Sequence, residues 1–162
     1  MTTLQLDPPV SQEELPERHF SGQTLTKVVS ALIDLRQQVK QSHWNVTGTN
    51  FIGLHLLFDK LADELNESAD TAAERQRALG FPVRGSIQQT ARLSPLPDFP
   101  EDLTKSADVL AHLIMAYRTV AGEANAVIET ITNDGDFGTA DLLTECVRLL
   151  DQHLYFLKSH LV

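Results

Sequence analysis

Apolar residues recur every three or four positions along most of this chain, and that period predicts helices. Leu25, Val28, Val29, Leu32, Ile33, Leu35 and Val39 fit one face of a first helix over about 22–47. The turn TGTN at 47–50 follows, and Asn50 is placed to cap the next helix. Phe51, Leu54, Leu57, Phe58, Leu61 and Leu65, then Ala69, Ala72 and Ala73, give a second helix over about 50–79, stopped by Gly80 and Pro82. Leu110, Leu113, Ile114, Tyr117, Val120, Ala124, Val127 and Ile131 predict a third over about 101–132. After the breaker NDGDFG at 133–138, Leu142, Leu143, Leu149, Leu150, Leu154, Phe156, Leu157 and Leu161 predict a fourth over about 139–161. No segment sustains the alternation of a strand.

The connections decide the topology. Residues 81–100, with Gly85, Pro95, Pro97 and Pro100, read as a long loop, and SIQQTARL at 86–93 predicts a short helix inside it. A loop of that length suits a crossover from one end of a bundle to the other. Short, long, short connections between four long helices predict an all-α fold: a ferritin-like four-helix bundle over 22–162, with a short helix in the long middle crossover. Pro8, Pro9 and Pro16 disfavour helix, so residues 1–21 read as an extended tail.

Composition narrows the function classes. The chain has 162 residues, one domain's worth, and no apolar run long enough to span a bilayer. The N-terminal stretch lacks the basic and apolar regions of a secretory signal. One cysteine, Cys146, excludes an internal disulfide framework and fits a reducing compartment, and it reads as a buried apolar residue. A cytoplasmic location is expected. The formal net charge is −9. Asp7, Glu13, Glu14 and Glu17 outnumber Arg18 in the first twenty residues, so no basic arm is present to neutralise DNA phosphates. An acidic particle attracts cations instead.

The chemistry concentrates between residues 43 and 74. At about 100° per residue, positions 55, 59, 70 and 74 fall at about 0°, 40°, 60° and 100°, one stripe of the second helix. His43 and His55 are equidistant from Thr49 in the turn, so an antiparallel hairpin sets them at one level. His43, His55 and Asp59 are thus expected to form a three-ligand cluster. Asp70 and Glu74 cannot join it in the same chain, because the helix rises about 16 Å between 59 and 70. Two second helices running antiparallel about a two-fold axis near 64–65 solve the problem. Each site then takes His43, His55 and Asp59 from one chain and Asp70 and Glu74 from the other, the two sites lying about 22 Å apart. Two imidazoles and three carboxylates suit iron. Spacing alone also permits ordinary surface pairs.

The residues in SHWNVTGTNFIGLH and FDKLADELNESADTAAERQRALG closely resemble the Dps family, the DNA-binding proteins from starved cells, which are miniferritins. The resemblance runs from about residue 22 to 161, takes in SPLPDFP and TADLL, and keeps the spacing His-(11)-His-(3)-Asp-(10)-Asp-(3)-Glu intact. It implies a hollow homododecamer that oxidises Fe(II), preferably with hydrogen peroxide rather than dioxygen, and stores the iron as a ferric mineral. It also implies that His43, His55, Asp59, Asp70 and Glu74 are the ferroxidase ligands, at which zinc is a possible competitor. Trp44 corresponds to a tryptophan close to that site, where it either quenches stray oxidant or packs at an interface. Asp136 and Asp141, with Glu145 a turn further on, correspond to an acidic iron-entry pore. All three equally suit ordinary helix-terminal acids. Phe137 stands where some relatives carry an acid, which makes the pore lining less charged.

The chain departs from the family elsewhere. Leu56 and Lys60 occupy positions that are acidic in some relatives, leaving Asp63, Glu64 and Glu67 either facing the cavity or merely solvated. His112, His153 and His160 lie outside the motif, and His160 reads as a surface or capping residue. The acidic tail argues against the DNA compaction that names the family.

Overall fold

The computed structural model describes residues 16–161, as five helices and no strand. Helix α1 spans Pro16–Asn45, α2 Phe51–Ala78, α3 Ile87–Leu93, α4 Ser106–Asn133 and α5 Phe137–Lys158. Helix α1 packs along α2, α4 along α5, and the short α3 rests on α1 within the crossover. This is the expected all-α bundle. Its core runs through all four long helices, with Leu32, Leu35, Phe58, Leu61, Leu113, Tyr117, Leu143 and Leu150 closed to solvent. A smaller apolar cluster of Leu25, Val29 and Ala72 closes one end of the α1–α2 pair.

Several boundaries differ from the sequence reading, each for a physical reason. Helix α1 begins at Pro16, not 22, so the extended tail does not reach 21. Proline breaks a helix interior but suits its first turn, where the missing N–H costs nothing. The rest of the expected tail, and its acids at 7, 13 and 14, lie outside the described residues. Helix α4 begins at Ser106, not 101, because the preceding segment bonds to the α1–α2 turn. Thr47 N–H donates to Thr104 O at 2.8 Å and Ser106 N–H to Thr47 O at 3.1 Å, forming a parallel bridge between Thr47 and Lys105. Gly48, at φ +123°, lets the turn make that approach. Helix α5 ends at Lys158, which leaves Leu161 beyond it and half exposed. Phe51, at the start of α2, is 43% exposed.

Asn50 stands at the α2 N-cap position, yet its side chain makes no bond to its own helix. Its Nδ2–H donates instead to His160 Nδ1 at 3.0 Å, which ties the chain end to the turn and gives His160 a structural role.

Candidate metal centre

The hairpin of α1 and α2 sets His43 and His55 face to face, as the equal spacing from Thr49 requires. Their rings stack with centroids 3.7 Å apart and planes inclined by 21°. Each imidazole bonds the other's backbone: His43 Nδ1–H donates to His55 O at 2.7 Å, and His55 Nδ1–H donates to His43 O at 2.9 Å. A carbonyl can only accept, so both Nδ1 atoms carry the proton. In the neutral rings both Nε2 atoms therefore hold free lone pairs, the tautomer that a metal-ligating histidine needs.

Asp59 lies one turn beyond His55 with its side chain 47% exposed. Lys40, three residues before His43 on α1, reaches it with Nζ 2.5 Å from Oδ1. That hydrogen bond lowers the Asp59 pKa, outweighing desolvation, and the charges of Lys40, His43 and His55 add to the effect. Among the described residues of one chain, no three histidine, cysteine, aspartate or glutamate side chains gather to hold a metal. The two imidazoles are assembled, while the Asp59 carboxylate is held by Lys40. Lys40 was missed in the sequence, although its i, i+3 spacing to His43 puts the two on one face.

Asp70 and Glu74 are exposed further along the same α2 stripe. Ile52 and Leu56 share that stripe, at about 60° and 100° on the same wheel. They are 63% and 62% exposed, and Trp44 beside His43 is 60% exposed. These three side chains, near the two histidines in sequence, form an exposed apolar collar, one of several exposed apolar places on the chain.

The expected pore acids separate into two kinds. Asp141 and Glu145 are exposed one turn apart on α5, with Phe137 also exposed at the helix start. Asp136 is buried and both its oxygens are engaged. Oδ1 accepts from Thr139 N–H at 3.1 Å and from Arg75 Nη2 at 2.6 Å, and Oδ2 accepts from Thr139 Oγ1 at 2.7 Å. Burial pushes its carboxyl up, but the bonds from Thr139 and Arg75 hold it below the ordinary carboxylate range. Asp136 is therefore a helix cap tied to α2.

The remaining candidates also find places. Asp63 and Glu67 are exposed, whereas Glu64 is drawn to His153, whose Nε2 lies 2.7 Å from its carboxylate. His153 is fully buried and meets the Tyr117 hydroxyl through Nδ1 at 3.1 Å. His112 bonds Gln38 Oε1 at 2.8 Å and packs edge-on against Phe99, and burial lowers its pKa. Cys146 is buried as expected, and burial pushes its thiol up, against a hydrogen bond with Ser68.

Comparison with known proteins shows the family and the fold. The ferritin-like domain family matches residues 22–162. The DNA protection during starvation protein of Agrobacterium fabrum is 38% identical over 136 residues, covering 84% of each chain. Among solved structures, DpsC from Streptomyces coelicolor superposes with a TM-score of 0.88 at 31% identity, covering 98% of this chain and 91% of that one. Dps from Thermosynechococcus elongatus gives 0.86 at 25% identity, over 90% and 92% of the two chains.

Proposed function

The chain belongs to the Dps family of ferritin-like proteins, and from that premise we propose that it is a ferroxidase whose sites are completed across a two-fold axis. Fe(II) is its substrate, hydrogen peroxide its preferred oxidant, and a ferric mineral inside a dodecameric shell its product. The observation that carries this reading is the pair of stacked imidazoles, both with Nε2 free, set in an exposed apolar collar.

Each part of the donor set has a task. The two Nε2 atoms supply the nitrogen donors to Fe(II). The Asp59 pKa is lowered, so its carboxylate binds without proton release once Lys40 lets go. Asp70 and Glu74 of the partner subunit supply hard oxygen donors that favour Fe(III) as it forms. Two Fe(II) ions give two electrons to one peroxide, so no hydroxyl radical need be released. Ile52, Leu56 and Trp44 become the dry surround of the site once a second copy covers them. Asp141 and Glu145 are the acids proposed to draw iron toward the interior, now without Asp136.

Mixed assembly tests the reading. Chains carrying His43→Ala, His55→Ala and Asp59→Ala are co-refolded with chains carrying Asp70→Ala and Glu74→Ala. Each variant alone has only broken sites. A dimer with one of each restores one of its two sites, so random mixing returns about a quarter of wild-type peroxide-driven iron oxidation. No recovery from a mixture that assembles normally would mean the ligands are not shared between chains.

A DNA-compacting role is the alternative, suggested by the name of the Agrobacterium fabrum relative. The net charge of −9 opposes it, and a gel shift at low and moderate salt separates the two.

A further inference from the structure

The start of α1, the end of α2 and the crossover enclose a hollow of about 450 Å³. Gln76 lines it and is only 1% exposed. Its Nε2–H donates to Thr26 Oγ1 at 2.6 Å and to Pro82 O at 3.1 Å. A carbonyl can only accept, so the second bond fixes which end of the amide is nitrogen. Gln76 Oε1 is left buried without a hydrogen-bond partner. Nothing offsets the desolvation of that acceptor. The rest of the hollow suits a flat apolar group. The Phe81 ring lies so close to Gly22 that a Cβ there would collide with it, and Leu93 adds a second apolar wall. Lys27 and Arg84 also line the hollow and are exposed, and neither makes an ion pair among the described residues.

Trp44 carries the complementary group. It is the chain's one tryptophan and is 60% exposed. An indole N–H can only donate, and it finds an acceptor when the ring is buried. Trp44 and Leu54 are equidistant from Thr49, so the hairpin sets them at one level. About a two-fold axis near 64–65, that level on one chain meets residue 75 of the other, between Glu74 and Gln76. On the other chain's α1 the same level is residue 23, between Gly22 and Thr26. Both positions fall on the hollow. We propose that each Trp44 seats in the hollow of the partner subunit, with its indole N–H donating to the partner's Gln76 Oε1. The partner's Phe81 walls one side of the ring, and the partner's Lys27 and Arg84 cover its face as cations over an indole. This rests on the two-fold dimer of the ferroxidase reading. A donor that needs an acceptor on burial and a buried acceptor that lacks a donor are satisfied by one contact. The consequence is positional. Trp44 adjoins His43, and Gln76 lies two residues past Glu74, so each contact pins the imidazole half of a site to the carboxylate half from the other chain. Trp44 is thus a positioning residue for the shared centre.

With one tryptophan per chain, indole spectroscopy reports Trp44 alone. Emission, acrylamide quenching and the ultraviolet Raman band of the indole N–H are measured on the assembled, iron-free protein. Wild type is expected to give blue-shifted emission, quenching several-fold slower than that of N-acetyltryptophanamide, and a hydrogen-bonded N–H band. Gln76→Leu is expected to move that band to its unbonded position while the ring stays shielded. Arg84→Ala, at an exposed position, is expected to raise quenching, and it decides the matter should Gln76→Leu fail to assemble. Co(II) binding without oxidant gives the functional readout. Trp44→Phe and Gln76→Leu should each weaken it several-fold, and the double variant no further than Trp44→Phe alone. Wild-type indole quenched as fast as the free amide, an N–H band unmoved by Gln76→Leu, quenching unchanged in Arg84→Ala, or additive losses in the double variant would overturn the inference. A seated indole in a protein that does not oxidise Fe(II) with peroxide would instead defeat the ferroxidase reading.

Discussion

Lys40 and Asp136 show how much at the residue scale depends on a side chain's neighbour. Lys40 neutralises Asp59 while no metal is bound, so the carboxylate must leave it to become a ligand. An ion pair this exposed is screened by water and holds the carboxylate only weakly. Lys40→Met is therefore expected to tighten metal binding by no more than about fivefold, measured by calorimetric titration with Co(II) in the absence of oxidant. Weaker binding would mean that Lys40 positions Asp59 rather than competing for it. The imidazoles were legible in the sequence because a hairpin's symmetry about Thr49 fixes their level. Their tautomers were not, because these depend on where two backbone carbonyls point. Glu64 was equally illegible: its link to His153 joins residues 89 apart in the chain.

At the scale of elements, the apolar period located every long helix, while the ends were set by contacts that no local pattern carries. Helix α4 starts late because Thr47 captures the segment before it, and α1 starts early because proline suits a first turn. The cap of α5 also reaches beyond its own helix. Asp136 bonds Thr139 within α5 and Arg75 on α2, and so clamps the two helices. Asp136→Ala removes a cap and the ion-pair partner of Arg75, which keeps only its bond to Thr139 Oγ1, at a cost of about 2–4 kcal/mol, seen as a lower thermal midpoint. The folded pKa of Asp136 is lowered, so its stabilisation is complete above the ordinary value of about 3.9 and fades as pH falls through the folded value. The gap between wild type and variant should be full at pH 7 and shrink in acid. An unchanged midpoint with slower iron uptake would return Asp136 to the pore.

At the scale of the whole molecule, one chain is an incomplete device. Its α2 stripe carries Asp59 too far from Asp70 and Glu74 to share a metal with them, and Trp44, Ile52 and Leu56 are left exposed. In the proposed dimer a second α2 running the opposite way answers both. The need for that partner was legible in helix arithmetic alone; the apolar collar that would receive it emerged only from the exposure of the folded chain. The most direct measurement is anomalous diffraction at the iron edge from crystals soaked anaerobically in Fe(II). Iron is expected between the Nε2 atoms of His43 and His55 and the Asp59 carboxylate of one chain and Asp70 and Glu74 of its partner, with twin sites about 22 Å apart. Iron bound wholly by one chain, or these side chains facing open solvent with no second molecule over them, would contradict it.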